Sequence, residues 1–132
     1  MALNPNEKFT TTTGVGSGKR IFPTSAQAMV FAAGTGTLAE GTPVAFDTSV
    51  GFWKLFQDAG INGIGVIKGF LTKPVTLDSD EEVMGVVMLN GRIHIDDIPI
   101  VTGYTLAQLK AKIKAGVRDL GIIVEGMAGD FN

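Results

Sequence analysis

The sequence predicts a mostly β domain with one late α-helix, a small β-sandwich or barrel-like unit preceded by an extended N-terminal arm. Three observations lead there. Short apolar runs are separated by glycine, asparagine and aspartate turn signals. Only one segment, near the C-terminus, carries the three- and four-residue apolar spacing of an amphipathic helix. The first residues, rich in threonine and glycine, carry neither pattern.

The arm is assigned to residues 1–27 and the β-rich domain to residues 28–132. Thr10 to Thr13 followed by Gly14 favour extended backbone, and Pro5 and Pro23 remove backbone donors. Phe9, Ile21 and Phe22 are apolar anchors too sparse for a local core. Two readings stay open: a strand that forms only against another sheet edge, or a disordered terminus.

From Ala28 the pattern becomes globular. Ala28 to Ala33 is a short apolar run, Pro43 to Phe46 reads as a strand, and Asp47, Thr48 and Ser49 with Gly51 form a turn. Phe52 to Phe56 is the next strand. Ile64 to Leu71 is a further apolar stretch, Val75 to Leu77 a short strand, and Asp78 to Glu82 an acidic loop. Val83 to Leu89, Asn90-Gly91 and Arg92 to Asp96 read as a hairpin, because Asn-Gly between strand-like runs favours a type I′ turn. Thr105 with Gln108 makes a capping-box pattern ahead of the stripe Leu106, Leu109, Ile113 and Val117. Gly121 ends the helix, and Ile122 to Glu125 is the last strand.

Composition narrows the function classes. A chain of 132 residues supports one compact domain that buries roughly two-thirds of its unfolded surface. The absence of cysteine excludes a disulfide scaffold, a thiolate metal site and a cysteine nucleophile. Eleven basic against thirteen acidic side chains give a net charge of −2, with no support for a general nucleic-acid binder. No run approaches a membrane span, and no basic start with an apolar run signals classical export. Charged residues make up only 18%, below the ~25% of typical domains, which fits apolar surface covered by a partner.

No constellation points to catalysis, a cofactor or a metal. Gly14 to Arg20 is similar to a phosphate-binding loop, but Thr13 holds the first glycine position and Arg20 follows Lys19 where serine or threonine is required. His94 is the only histidine, which excludes a histidine metal cluster. Asp78, Asp80, Glu81 and Glu82 lack the glycine that turns a calcium loop. Adjacent Asp96 and Asp97 point to opposite faces of a strand, unsuited to paired acid–base work.

The run Leu38 to Ser49, then Trp53-Lys54-Leu55, resembles the first sheet of lambda-like phage head decoration proteins. Asp58-Ala59-Gly60 with Ile64 to Ile67, the segment Val83 to Pro99, the helix Thr105 to Leu120 and the strand Ile122 to Val124 are similar to that family's order across residues 38–125. Residues 1–37 have no counterpart, and Phe70 to Glu82 departs from the pattern. The resemblance implies a non-enzymatic virion protein, made in the host cytoplasm, that binds the outside of an expanded capsid as a homotrimer. Its partner would be the major capsid protein at three-fold and quasi-three-fold sites. Phe9, Thr10, Thr11, Thr12, Ile21 and Phe22 would form the capsid-binding arm, and Phe52, Trp53 and Phe56 the trimer interface. No nucleic acid and no membrane enter this reading. The alternative is a small β-barrel binding module for single-stranded nucleic acid or a small ligand, which a basic concave face would favour. A third class, an enzyme of unrecognised type, would need a deep pocket with perturbed ionisable groups.

Overall fold

A computed structural model describes residues 18–127. Its strands are β1 (Ile21–Phe31), β2 (Thr37–Leu38), β3 (Pro43–Asp47), β4 (Phe52–Leu55), β5 (Gly69–Leu71), β6 (Val75–Thr76), β7 (Val83–His94) and β8 (Ile122–Glu125). One α-helix, α1 (Leu106–Gly116), runs into a 3-10 turn at Val117–Leu120. The mostly β composition with a single late helix agrees with the sequence pattern.

β7 is the spine. Along one edge it pairs antiparallel with β1, from Ile21 opposite Ile93 to Phe31 opposite Val83. Its other edge is shared in succession by β5, with Phe70 opposite Met88, and by β8, which runs parallel from Gly91–Ile122 to His94–Glu125. β3 pairs with both β4 and β5, and Phe31 at the end of β1 pairs parallel with Trp53 of β4. The sequence of neighbours β1-β4-β3-β5-β7 therefore returns to β1, and the sheet closes on itself. β8 lies outside the closed ring, and β2 and β6 form a separate two-residue pair.

Alternation along the strands divides the interior in two, because successive side chains point to opposite faces. Phe70 and Met88 join Phe56, Ile93 and Ile122 in one cluster, capped by Leu109, Ile113 and Val117 from the helix. Their neighbours Leu71 and Val87 join Phe31, Val44 and Val75 in the other. The helix is started by the capping box expected from its sequence. Thr105 Oγ1 accepts from the Gln108 N–H at 3.2 Å, and Gln108 Oε1 accepts from the Thr105 N–H at 2.9 Å. Gly121, at φ +86°, ends the 3-10 turn in the left-handed conformation that a side chain disfavours. Leu106 begins the predicted stripe but is exposed, so only Leu109, Ile113 and Val117 face the core.

Two expectations are corrected, and an apolar stretch left without an assigned structure is resolved. Asn90-Gly91 is not a hairpin turn, since β7 passes straight through it. The Gly91 N–H donates to the Gly121 carbonyl at 3.2 Å, and β1 crowds the other side. A Cβ at Gly91 would lie 2.8 Å from the Pro23 Cα, so the glycine serves close strand approach at the bulges around Ser25. Partners on both edges outweigh the local turn preference. The apolar stretch from Ile64 is a strand only at Gly69–Leu71. Asn62 (φ +57°) and Gly63 (φ +92°) turn the chain first, and the Gly63 carbonyl accepts from Val66. The second correction is that the boundary at residue 27 cuts through β1, whose residues from Ile21 onward belong to the closed sheet.

Removing residues 1–27 would strip β7 of its partner from Ile93 to Val87 and leave only Ala28 to Phe31 of β1 to hold the ring closed. Such a chain should lose its cooperative thermal transition in calorimetry. A truncated chain that melts like the full-length protein would contradict the placement of β1.

Candidate interaction surface

Among the described residues, β1 leaves one edge open. Its residues up to Val30 pair with β7 alone, and only Phe31 reaches β4. The strand reads IFPTSAQAMVF, without a charged residue, and Phe22 to Ala28 are all exposed. Monomeric proteins blunt such edges with charge, proline or bulges, because unpaired backbone groups invite another strand. Here Pro23 and the irregularities on either side of Ser25 guard the first part. Ala26 to Val30 carries no such guard. Exposed Val30 faces exposed Met84 across the β1–β7 pair, which adds apolar surface beside the open edge.

The start of β1 is pinned by charge. The Arg20 guanidinium meets Asp97 at 2.8 Å, and the Arg20 backbone N–H donates to the same carboxylate oxygen at 2.9 Å. The Arg20 hydrogen bond holds the Asp97 carboxyl below the usual carboxylate range. The Lys19 ammonium donates to the Glu40 carbonyl at 2.6 Å, so this lysine of the glycine-rich run is engaged in tying strand ends. Thr13 to Ser17 lie outside the described residues, as do Phe9, Thr10, Thr11 and Thr12 of the expected arm.

The remaining expected site residues separate. Ile21 packs against the helix-capped cluster and belongs to the fold. Phe22 is 49% exposed, with the Arg92 guanidinium 5.3 Å from its ring centre, a cation–π contact on the outer face. Phe52 and Trp53 are half-buried, and Trp53 meets Phe46 edge-on at 5.9 Å. Phe56 is fully buried, 5.2 Å from the ring of Tyr104. It has no surface to offer and is removed from the trimer-interface set. The aromatic run alone gave no means of telling a core phenylalanine from an interface one.

The Asp-Thr-Ser turn has a chemical role that its turn signal did not reveal. The Asp47 carboxylate is buried, 2.8 Å from the Lys54 ammonium, and accepts from Ser49 N at 2.9 Å and Ser49 Oγ at 2.6 Å. The Lys54 hydrogen bond leads in holding the Asp47 pKa down at about 2, and Ser49 adds to it. This locks β3 to β4 and fixes Phe52 and Trp53 on the surface. Tyr104, by contrast, is pushed up to about 12 by burial, and its hydroxyl donates to the Pro99 carbonyl at 2.5 Å.

His94 Nδ1 accepts from the Asp96 N–H at 3.1 Å, which spends that nitrogen on starting a 3-10 turn. Asp96 is exposed while Asp97 holds Arg20, so the two neighbouring carboxylates diverge. Among the described residues no group of three or more histidine, aspartate or glutamate side chains is placed to hold a metal ion. A cavity of about 360 Å³ lies between the loop before β5 and the end of the helix. Apolar Val66, Ile67, Val117 and Leu120 line it together with Lys68 and Lys112.

No protein-family model matches the chain, and no curated protein matches it.

Asp47 yields a pH prediction. Its folded pKa lies below the ordinary 3.8, so its contribution is complete above about 4 and is lost as pH falls towards about 2. Denaturant midpoints should therefore drop across that window, and Asp47→Asn should flatten this part of the profile. An unchanged slope in the variant would remove Asp47 from the account.

Proposed function

We propose that this chain is a structural virion protein that binds the outer surface of an expanded phage capsid as trimers and stabilises it. The observation that carries the reading is the uncharged open edge of β1. It offers unpaired backbone groups over Ala26 to Val30 beside the exposed Val30 side chain. The strand's N-terminal end leads back to the threonine run Thr10 to Thr13, whose composition favours extended backbone.

The physical logic is strand addition. A capsid segment laid along β1 supplies main-chain hydrogen bonds, and the exposed apolar side chains add burial. Each ordered residue of such a segment costs roughly 1–2 kcal/mol of backbone entropy. A lattice that presents the segment already extended lowers that cost, which fits a protein that attaches after the head expands. The resemblance of residues 38–125 to lambda-like head decoration proteins supports the same assignment. Partly exposed Phe52 and Trp53, held by the Asp47–Lys54 lock, stay in the proposed trimer contact.

Charge on the edge tests this directly. Ala26→Lys with Val30→Lys alters exposed positions and should leave the melting temperature within a few degrees of wild type. Its retention on purified expanded heads in co-sedimentation should fall at least about tenfold, as expected when a guard residue blocks an edge. Full retention would refute the edge as the docking surface.

A further inference from the structure

We infer that the lysine-rimmed cavity between the loop before β5 and the helix end receives Met84 and the acidic loop of a second copy of this chain. The inference adds a second subunit contact to the Phe52 and Trp53 contact of the trimer proposed above, and it rests on that reading for the ring closing at three.

The cavity has a definite chemistry. Its walls, Val66, Ile67, Val117 and Leu120, are apolar, and among the described residues the charged ones that line it are Lys68 and Lys112, with no acidic residue. Its volume of about 360 Å³ is within the range of binding pockets and ample for an unbranched thioether. Val66 is 52% exposed at the mouth. A fitting occupant carries an apolar knob with negative charge beside it.

The chain presents such a knob at the far end of the same spine. Met84 is 60% exposed, the second most exposed of its large hydrophobic side chains after Ile61 among the described residues. Just before it, Asp80, Glu81 and Glu82 are exposed in the loop that enters β7. Methionine adapts its shape to irregular pockets, and the carboxylates can settle against Lys68 and Lys112.

One copy cannot satisfy itself. Leu120 of the cavity adjoins Gly121, whose carbonyl binds the Gly91 N–H, and Gly91 lies about 23 Å along β7 from Met84 at the usual rise per residue. Knob and socket at opposite ends of one strand make a head-to-tail contact, which generates a ring when the rotation closes. The charges set the direction, because socket against socket or knob against knob places like charges together.

The native chain has no cysteine, so introduced thiols report without background. Two full-length single-cysteine variants, Met84→Cys and Val66→Cys, are mixed under mild oxidation. The mixed disulfide dimer should exceed either homodimer at least about tenfold, since bridging needs Cβ atoms within about 4.5 Å. Adding Glu81→Lys and Glu82→Lys to the first variant should suppress the cross-link. Adding Lys68→Glu and Lys112→Glu to the second should restore it between the two reversed chains. A statistical mixture of dimers, or cross-linking indifferent to charge reversal, overturns the contact. Neither readout involves heads. Specific cross-linking by a chain that fails to bind expanded heads would therefore keep the contact and refute the capsid reading. Head binding without specific cross-linking would do the reverse.

Discussion

The fold depends on β7 being paired along both edges at once. β1 occupies one edge for nearly its whole length, while β5 and β8 divide the other. Without β1 the ring would stand open between β7 and β4, and the Phe31 cluster would lose its central ring. The contacts around β7 explain three glycines together. Gly69 lets β5 approach until a Cβ would lie 2.7 Å from the Met88 carbonyl oxygen. Gly85 makes room for the Phe31 ring, and Gly91 for Pro23. Each position trades side-chain packing for close approach of a neighbouring strand or ring.

That same arrangement occupies much of both edges of β7 and leaves β1 exposed. A closed sheet normally removes edges. Here the closure between β1 and β4 is a single residue pair, Phe31 with Trp53, so the barrel is shut at one end of β1 and open along the rest. Arg20 and Lys19 fix the start of the strand, and Phe31 fixes its end. The open edge is thus fixed at both ends, with its irregularities confined to the positions around Ser25, and the proposed strand addition would meet an ordered backbone. Preorganisation of this kind limits the entropy that binding has to offset.

Much of this was legible in the residues, and the exceptions have one cause. Local signals that act within a few residues read correctly. The Thr105–Gln108 capping box, the Leu109–Ile113–Val117 stripe, the Gly121 stop and the strands at Pro43, Phe52 and Ile122 all depend on short-range chemistry. Asn90-Gly91 misled because its conformation is decided by strands remote in sequence, β1 and β8, that supply partners on both sides. Ile21 to Gln27 was assigned to the arm because threonine, proline and serine conceal a strand whose inward support comes from β7. Phe56 was grouped with Phe52 and Trp53 by composition, while its burial depends on Tyr104 and the helix-capped cluster. The missed clue for the surface was also in plain sight, as eleven residues of β1 without a charge.

The central claim is that the free edge of β1 becomes paired when the protein is in place. Amide hydrogen exchange, resolved by residue and compared between the free protein and the protein on expanded heads, tests it most directly. In the free protein, β7 protects alternate amides of β1, and those facing the open edge exchange fast. On the head, the fast-exchanging amides between Ala26 and Val30 should become protected while those already bonded to β7 change little. Unchanged exchange along that edge in the head-bound protein would contradict the account.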